Sequence, residues 1–152
     1  MTSNKGITMK KSDWIILILG SLNGGTFSPA QLQKSLFLIK ENLTEEIKGG
    51  FYEFVPYNYG PFCKDIYHDA EELENEGLIN INCPSDKKWC EYSITVKGLE
   101  SYKRAVDKIS SNAAEYIKKL VNAIKKLSFQ QLISYIYNNY PTYKENSVFV
   151  SK

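Results

Sequence analysis

The chain has 152 residues, 43% of them hydrophobic and 24% charged, with a formal net charge of +2. This is the composition of one ordinary soluble globular domain with a real core. It excludes a membrane span, because no run of about 18 apolar residues occurs, and a charge this small is no argument for nucleic acid by itself.

Residues 1–11 are expected to be a disordered N-terminus. Lys10 and Lys11 followed by Trp14-Ile15-Ile16-Leu17-Ile18-Leu19 faintly mimic a signal peptide, but the apolar piece is short and Gly20-Ser21-Leu22-Asn23 is a weak cleavage site. The stretch reads as a buried first helix, from Ser12 as N-cap to Leu22, stopped by Asn23-Gly24-Gly25. The protein is accordingly placed in the cytoplasm. A second helix starts with Ser28 as N-cap, Pro29 at the first helical position and Gln31 completing a capping box. Phe27 and Leu32 stand as a hydrophobic staple, and Leu32, Leu36, Ile39 and Leu43 share one helical face.

Phe51 to Tyr59, "FYEFVPYNY", is aromatic and extended, and Pro56 bars it from a central strand. Gly60-Pro61 makes a corner, and Pro61 is expected to open a third helix with Phe62, Ile66, Ala70 and Leu73 inward. Gly77 stops that helix. Leu78–Cys83 and Trp89–Thr95 read as two strands around the turn Pro84–Lys88. Thr95 caps a helix with Val96, Leu99, Val106 and Ile109 inward, and Gly98 weakens its first turn. Another helix starts near Asn112. Ser128 and Gln131 repeat the capping box before a last helix that ends at Tyr140-Pro141. The fold class is therefore mainly α with a small β-hairpin: a winged helix-turn-helix over 12–95, then a C-terminal helical extension over 96–140 packed on that core, then a mobile tail over 141–152.

Charge is unevenly placed. Glu41 to Gly77 holds ten acids against Lys48 and Lys64, whereas Val96 to Lys126 is basic. The helix that should read DNA in a winged-helix protein exposes Asp65, Asp69, Glu72 and Glu76, and carboxylates repel a phosphate backbone. That face reads either as a solvated acidic surface or as a site for a basic partner protein. Asp65 with Asp69, and Glu72 with Glu76, are paired carboxylates with no phosphate loop nearby, so neither catalysis nor metal binding is expected there. Cys63 and His68 diverge around one helix, which argues against a nucleophile–base pair, and Cys63 is expected in the core. Cys63, His68, Cys83 and Cys90 do not have a recognised zinc spacing. Cys83 and Cys90 flank the wing turn, but free thiols are the default in a reducing compartment. No cofactor, no metal and no enzymatic activity are expected.

"LQKSLFLI" (Leu32–Ile39) followed by "FYEFVPYNYGPFCKDIYHDAEELENEGLI" (Phe51–Ile79) resembles a bacterial winged-helix group, the YwgA-like proteins, as does the closing "LISYIYNNYPTY" (Leu132–Tyr143). The sequence is also similar, more remotely, to the Panacea/SocA antitoxin domain, through Leu32-Gln33-Lys34 and through Tyr59-Gly60-Pro61 followed by Ile66-Tyr67. The tryptophan-rich stretch expected before the Tyr-Gly-Pro corner of that domain is replaced here by Tyr and Phe. The Panacea resemblance implies a small non-enzymatic protein that neutralises a toxin by contact or delivers it to a protease. The leading expectation is thus an antitoxin-like or counter-defence protein acting by protein–protein association. Tyr57, Tyr59 and Tyr67 are its expected anchors, and Asp65, Asp69, Glu72 and Glu76 its charged rim against a basic partner surface. The alternative is a DNA-binding regulator, dimeric through its last helices, with Lys87, Lys88, Lys103 and Arg104 on phosphates.

Overall fold

The computed structural model describes residues 9–47 and 50–149. The first eight residues of the expected disordered N-terminus lie outside the described residues. Helix α1 spans Lys11–Gly20, so it starts ahead of the expected cap at Ser12, with Lys10 as N-cap and Asp13 bonding back to the Lys10 amide at 2.9 Å. Trp14 to Leu19 are each at most 1% exposed. A helix apolar all round is stable only when surrounded, and α1 is surrounded: it packs on α2 (Pro29–Asn42), α3 (Asp65–Asn75), β4 (Glu91–Ile94), α4 (Val96–Val106) and α5 (Ser111–Lys125). Each such side chain contributes about 1.5–3 kcal/mol on burial. No helix among the described residues is long and apolar enough to cross a membrane.

Helix α2 starts as its sequence dictates. Ser28 Oγ accepts from the Gln31 amide, Gln31 Oε1 accepts from the Ser28 amide, and Pro29 opens the helix. The same capping box recurs between Ser128 and Gln131 at the start of α6 (Phe129–Asn139). Every residue of α2 from Leu32 to Ile39 is buried, so the helix runs through the core rather than along its surface.

Between α2 and α3 lies a hairpin that the sequence reading lacked, β1 (Val55–Tyr57) with β2 (Gly60–Phe62), paired Val55↔Phe62, Pro56↔Pro61 and Tyr57↔Gly60. Pro61 therefore sits in a strand and does not open helix three, which begins at Asp65. Two paired prolines are tolerable because each strand has a free edge. The second hairpin, β3 (Ile79–Asn82) with β4, follows the expected alternation, with Ile79 buried and Asn80 exposed. Phe27 adds a bridge to Tyr92, amide to carbonyl in both directions at 2.9 and 2.8 Å. Cys83 and Cys90 form a disulfide across the wing, in place of the expected free thiols.

Two further expectations are corrected. Val96 and Leu99 face solvent, and α4 turns Gly98, Tyr102 and Ala105 inward instead. The reason is steric: a Cβ on Gly98 would stand 2.0 Å from the Leu78 carbonyl oxygen, so only glycine lets α4 approach the wing. Residues 141–149 of the segment expected as a mobile tail form a 3-10 turn at Pro141–Lys144 and return to the first hairpin, where the Val148 amide donates to Asn58 at 2.9 Å, and residues 150–152 lie outside the described residues.

The Gly98 contact reverses the ordinary expectation for a helix. By propensity alone Gly98→Ala gains about 1 kcal/mol. Overpacking against a carbonyl opposes this and costs about 3 kcal/mol, so urea unfolding is expected to show a net loss of about 2 kcal/mol.

Candidate functional site

The first hairpin builds a groove. Gly60, at φ +100°, turns the chain between the strands, and the pairing brings Tyr57 face to face with Phe62, ring centres 4.8 Å apart. Tyr67, from α3, meets the edge of Phe62 at 5.6 Å. Tyr59 reaches the other way to Phe129 at the start of α6, 5.2 Å away. Trp89 and Lys88 come in from the wing. Together these residues line a groove of about 660 Å³. Tyr57, Tyr59, Trp89 and Phe129 are all large rings left 43–52% exposed.

Its base is α2. Gln33 and Lys34 are 1% and 4% exposed, and both line the groove. Gln33 Nε2 donates to the Cys63 carbonyl and the Cys63 amide donates to Gln33 Oε1, each at 2.9 Å. Lys34 has no such compensation. Among the described residues its ammonium has no hydrogen bond and no ion pair, and burial lowers its pKa to about 8. The N-terminal ends of α2 (Ser28 to Gln31) and α6 (Ser128, Phe129) also border the groove, and helix N-termini favour negative charge. Among the described residues no Asp or Glu lines it.

The expected site is thereby split. At 100° per residue, Tyr67 and Asp69 point roughly 160° apart around α3. Tyr57, Tyr59 and Tyr67 converge on the groove, whereas Asp65, His68, Asp69 and Glu72 border a separate hollow with Lys11. Asp69 is partly committed inside the protein: its carboxylate accepts from the Tyr52 hydroxyl at 2.6 Å. Burial, and then this bond to Asp69, push the Tyr52 hydroxyl far up. Glu76 caps the end of α3, and its carbonyl accepts from Lys97 at 2.8 Å.

Of the bases expected on phosphates, Lys87 pairs with Glu91 at 2.6 Å, Lys88 joins the groove, and Lys103 and Arg104 lie exposed on α4, with Arg104 donating to Ser101. Cys63 is buried as expected. With Cys83 and Cys90 bonded to each other, the four-residue zinc set does not assemble, and among the described residues no group of three or more His, Cys, Asp or Glu is placed to hold a metal.

The antitoxin SocA-like Panacea domain family matches residues 32–141, more than two thirds of the chain. The chain belongs to that family. The Panacea match opens on Leu32-Gln33-Lys34 and takes in both hairpins and all of α6, so most of the groove lies inside it. No curated protein matches the chain. The resemblance to the YwgA-like group rests on sequence motifs alone.

Sequence reasoning found the three tyrosines but missed Gln33, Lys34, Phe62, Trp89 and Phe129 as their neighbours. No periodicity signal was available for Lys34: two residues from both Leu32 and Leu36, it falls about 160° away from the apolar face that those leucines share with Ile39.

The buried ammonium has a measurable consequence. The folded pKa of Lys34 lies below the unfolded value of 10.5, so the folded state holds fewer protons between about pH 8 and 10.5, and stability rises with pH across that window. Lys34→Met is expected to stabilise the protein at pH 7 by about 3 kcal/mol, the value of the shift at 1.36 kcal/mol per unit. The gain should shrink towards zero by pH 10.5 in paired urea titrations of the two proteins.

Proposed function

We propose that this Panacea-domain protein is a non-enzymatic, antitoxin-like protein that holds a partner protein by direct contact, and that the aromatic groove is where the partner docks. The supporting observation is the convergence of Tyr57, Tyr59, Trp89 and Phe129, all half-exposed, on one concave surface. Exposed rings clustered around a hollow are the usual make-up of an interface hot spot, and singly scattered apolar residues are not. Family membership supports a toxin-like partner. The acidic stripe Asp65, Glu72 and Glu76 lies on the other flank of α3. A partner wide enough to straddle that helix meets it with basic residues, which raises the encounter rate more than the affinity. The alternative of a DNA-binding regulator has less support, since Lys87 is already paired and α3 remains acidic on its outer flank.

The test is co-purification with the product of a toxin-like reading frame adjacent to this gene. Tyr57→Ala with Tyr59→Ala is expected to weaken the complex about 30-fold, or roughly 2 kcal/mol. Asp65→Ala, Glu72→Ala and Glu76→Ala together are expected to slow association and flatten its salt dependence with little change in dissociation. Loss of the complex in the acidic variant, with none in the tyrosine variant, would move the site to the outer flank of α3.

A further inference from the structure

We infer that the segment a partner inserts into the groove carries an acidic side chain flanked by apolar residues, and that its carboxylate pairs with Lys34. This rests on the docking reading above and adds the chemistry of the occupant. Lys34 is 4% exposed, lines the groove, and lacks any partner among the described residues. The Lys34 nitrogen is not among the fully buried unpaired atoms, so its tip opens to the groove; an ammonium largely stripped of water without a counter-charge is costly, and an entering carboxylate offsets that cost. The rest of the lining agrees in sign. Lys88 stands at the wing side, the N-terminal ends of α2 and α6 border the hollow, and among the described residues no carboxylate faces it.

The remaining lining is apolar and aromatic: Pro29, Phe62, Trp89, Leu127 and Phe129 alongside the tyrosines. An occupant must therefore offer apolar side chains on either side of its charge. A nucleic acid strand fits less well. Stacking rings are present, but a polyanion draws its affinity from many bases, and here two lysines are set beside a helix rich in acids. A partner's free C-terminus fits less well than an acidic side chain, because terminal carboxylates are captured in nests of backbone amides, whereas Lys34 presents a single point charge on a flexible stem.

The probe is a random twelve-residue peptide display library selected on the immobilised full chain, with the strongest peptides then made with a fluorescent label. One Asp or Glu among apolar or aromatic residues is expected in them. Changing it to the amide, or Lys34→Met in the protein, should weaken binding tenfold or more, and the two changes together should cost no more than either alone. Lys34→Met is a variant expected to fold well, so its loss of binding is informative.

The inference is overturned if selected peptides lack an acid, if they bind the Lys34→Met protein equally, or if none is enriched over that protein. It is also overturned if a 20-nucleotide single strand displaces the peptide more effectively than unlabelled peptide does. Binding that is lost with Tyr57→Ala and Tyr59→Ala but kept with Lys34→Met leaves the docking site standing and removes only the acidic occupant. Binding that survives both sets of changes removes both.

Discussion

One primary amide holds the working part of this protein together. Gln33, inside the core on α2, bonds both the amide and the carbonyl of Cys63, 30 residues further along the chain. Cys63 sits where β2 gives way to α3, beyond the hairpin ladder, and its carbonyl takes only a long bond from the Ile66 amide at 3.3 Å. Buried backbone groups must be paired somewhere, and Gln33 pairs both. The bond sets the hairpin and the start of α3 against α2, which puts Phe62 and Tyr67 beside Lys34.

The same helix carries the cost of the arrangement. Gln33, Lys34 and Ser35 are three consecutive polar residues buried among Leu32, Leu36, Phe37 and Ile39. Gln33 is fully used. Ser35 Oγ is buried without a partner, and the Lys34 ammonium lies beneath a groove of rings. A local departure from good core design of this kind is expected where a site has been placed, because the group that weakens the free protein is the one that a partner can satisfy. Helix α3 separates the two electrostatic surfaces. Its outer flank is acidic, borders a hollow with Lys11 and is bonded to Tyr52, and its inner flank gives Tyr67 to a hollow with no carboxylate among the described residues. The strong acidic bias seen along the sequence between residues 41 and 77 therefore says little about the groove that this same stretch helps to build.

Much of the fold was legible because local chemistry decided it. The Ser28–Gln31 and Ser128–Gln131 capping boxes, the Gly77 stop and the alternation of Ile79 and Ile81 each depend on neighbours within a few residues. The failures came where distant contacts overrode local preference. Pro61 is a good first helical residue, yet pairing with Pro56 keeps it in a strand. Val96 and Leu99 are apolar at helical spacing, yet the close approach of Gly98 to Leu78 rotates them outward. The tail from Pro141 has little propensity of its own and is ordered by Asn58 and by Tyr137, whose ring lies 6.1 Å from that of Phe149. At the site, the three tyrosines were recoverable from their density in one segment. Their separation from the acids was recoverable only with the helix phase in hand, and Lys34 drew no notice because lysine on a helix is ordinarily solvated.

Photocrosslinking addresses the central claim most directly. Benzoylphenylalanine is placed at position 89, in the groove, or at position 72, on the acidic flank of α3, and each protein is irradiated with its bound partner. Capture at position 89, with little at position 72, is the result this account predicts. Efficient capture at position 72 with none at position 89 would contradict it.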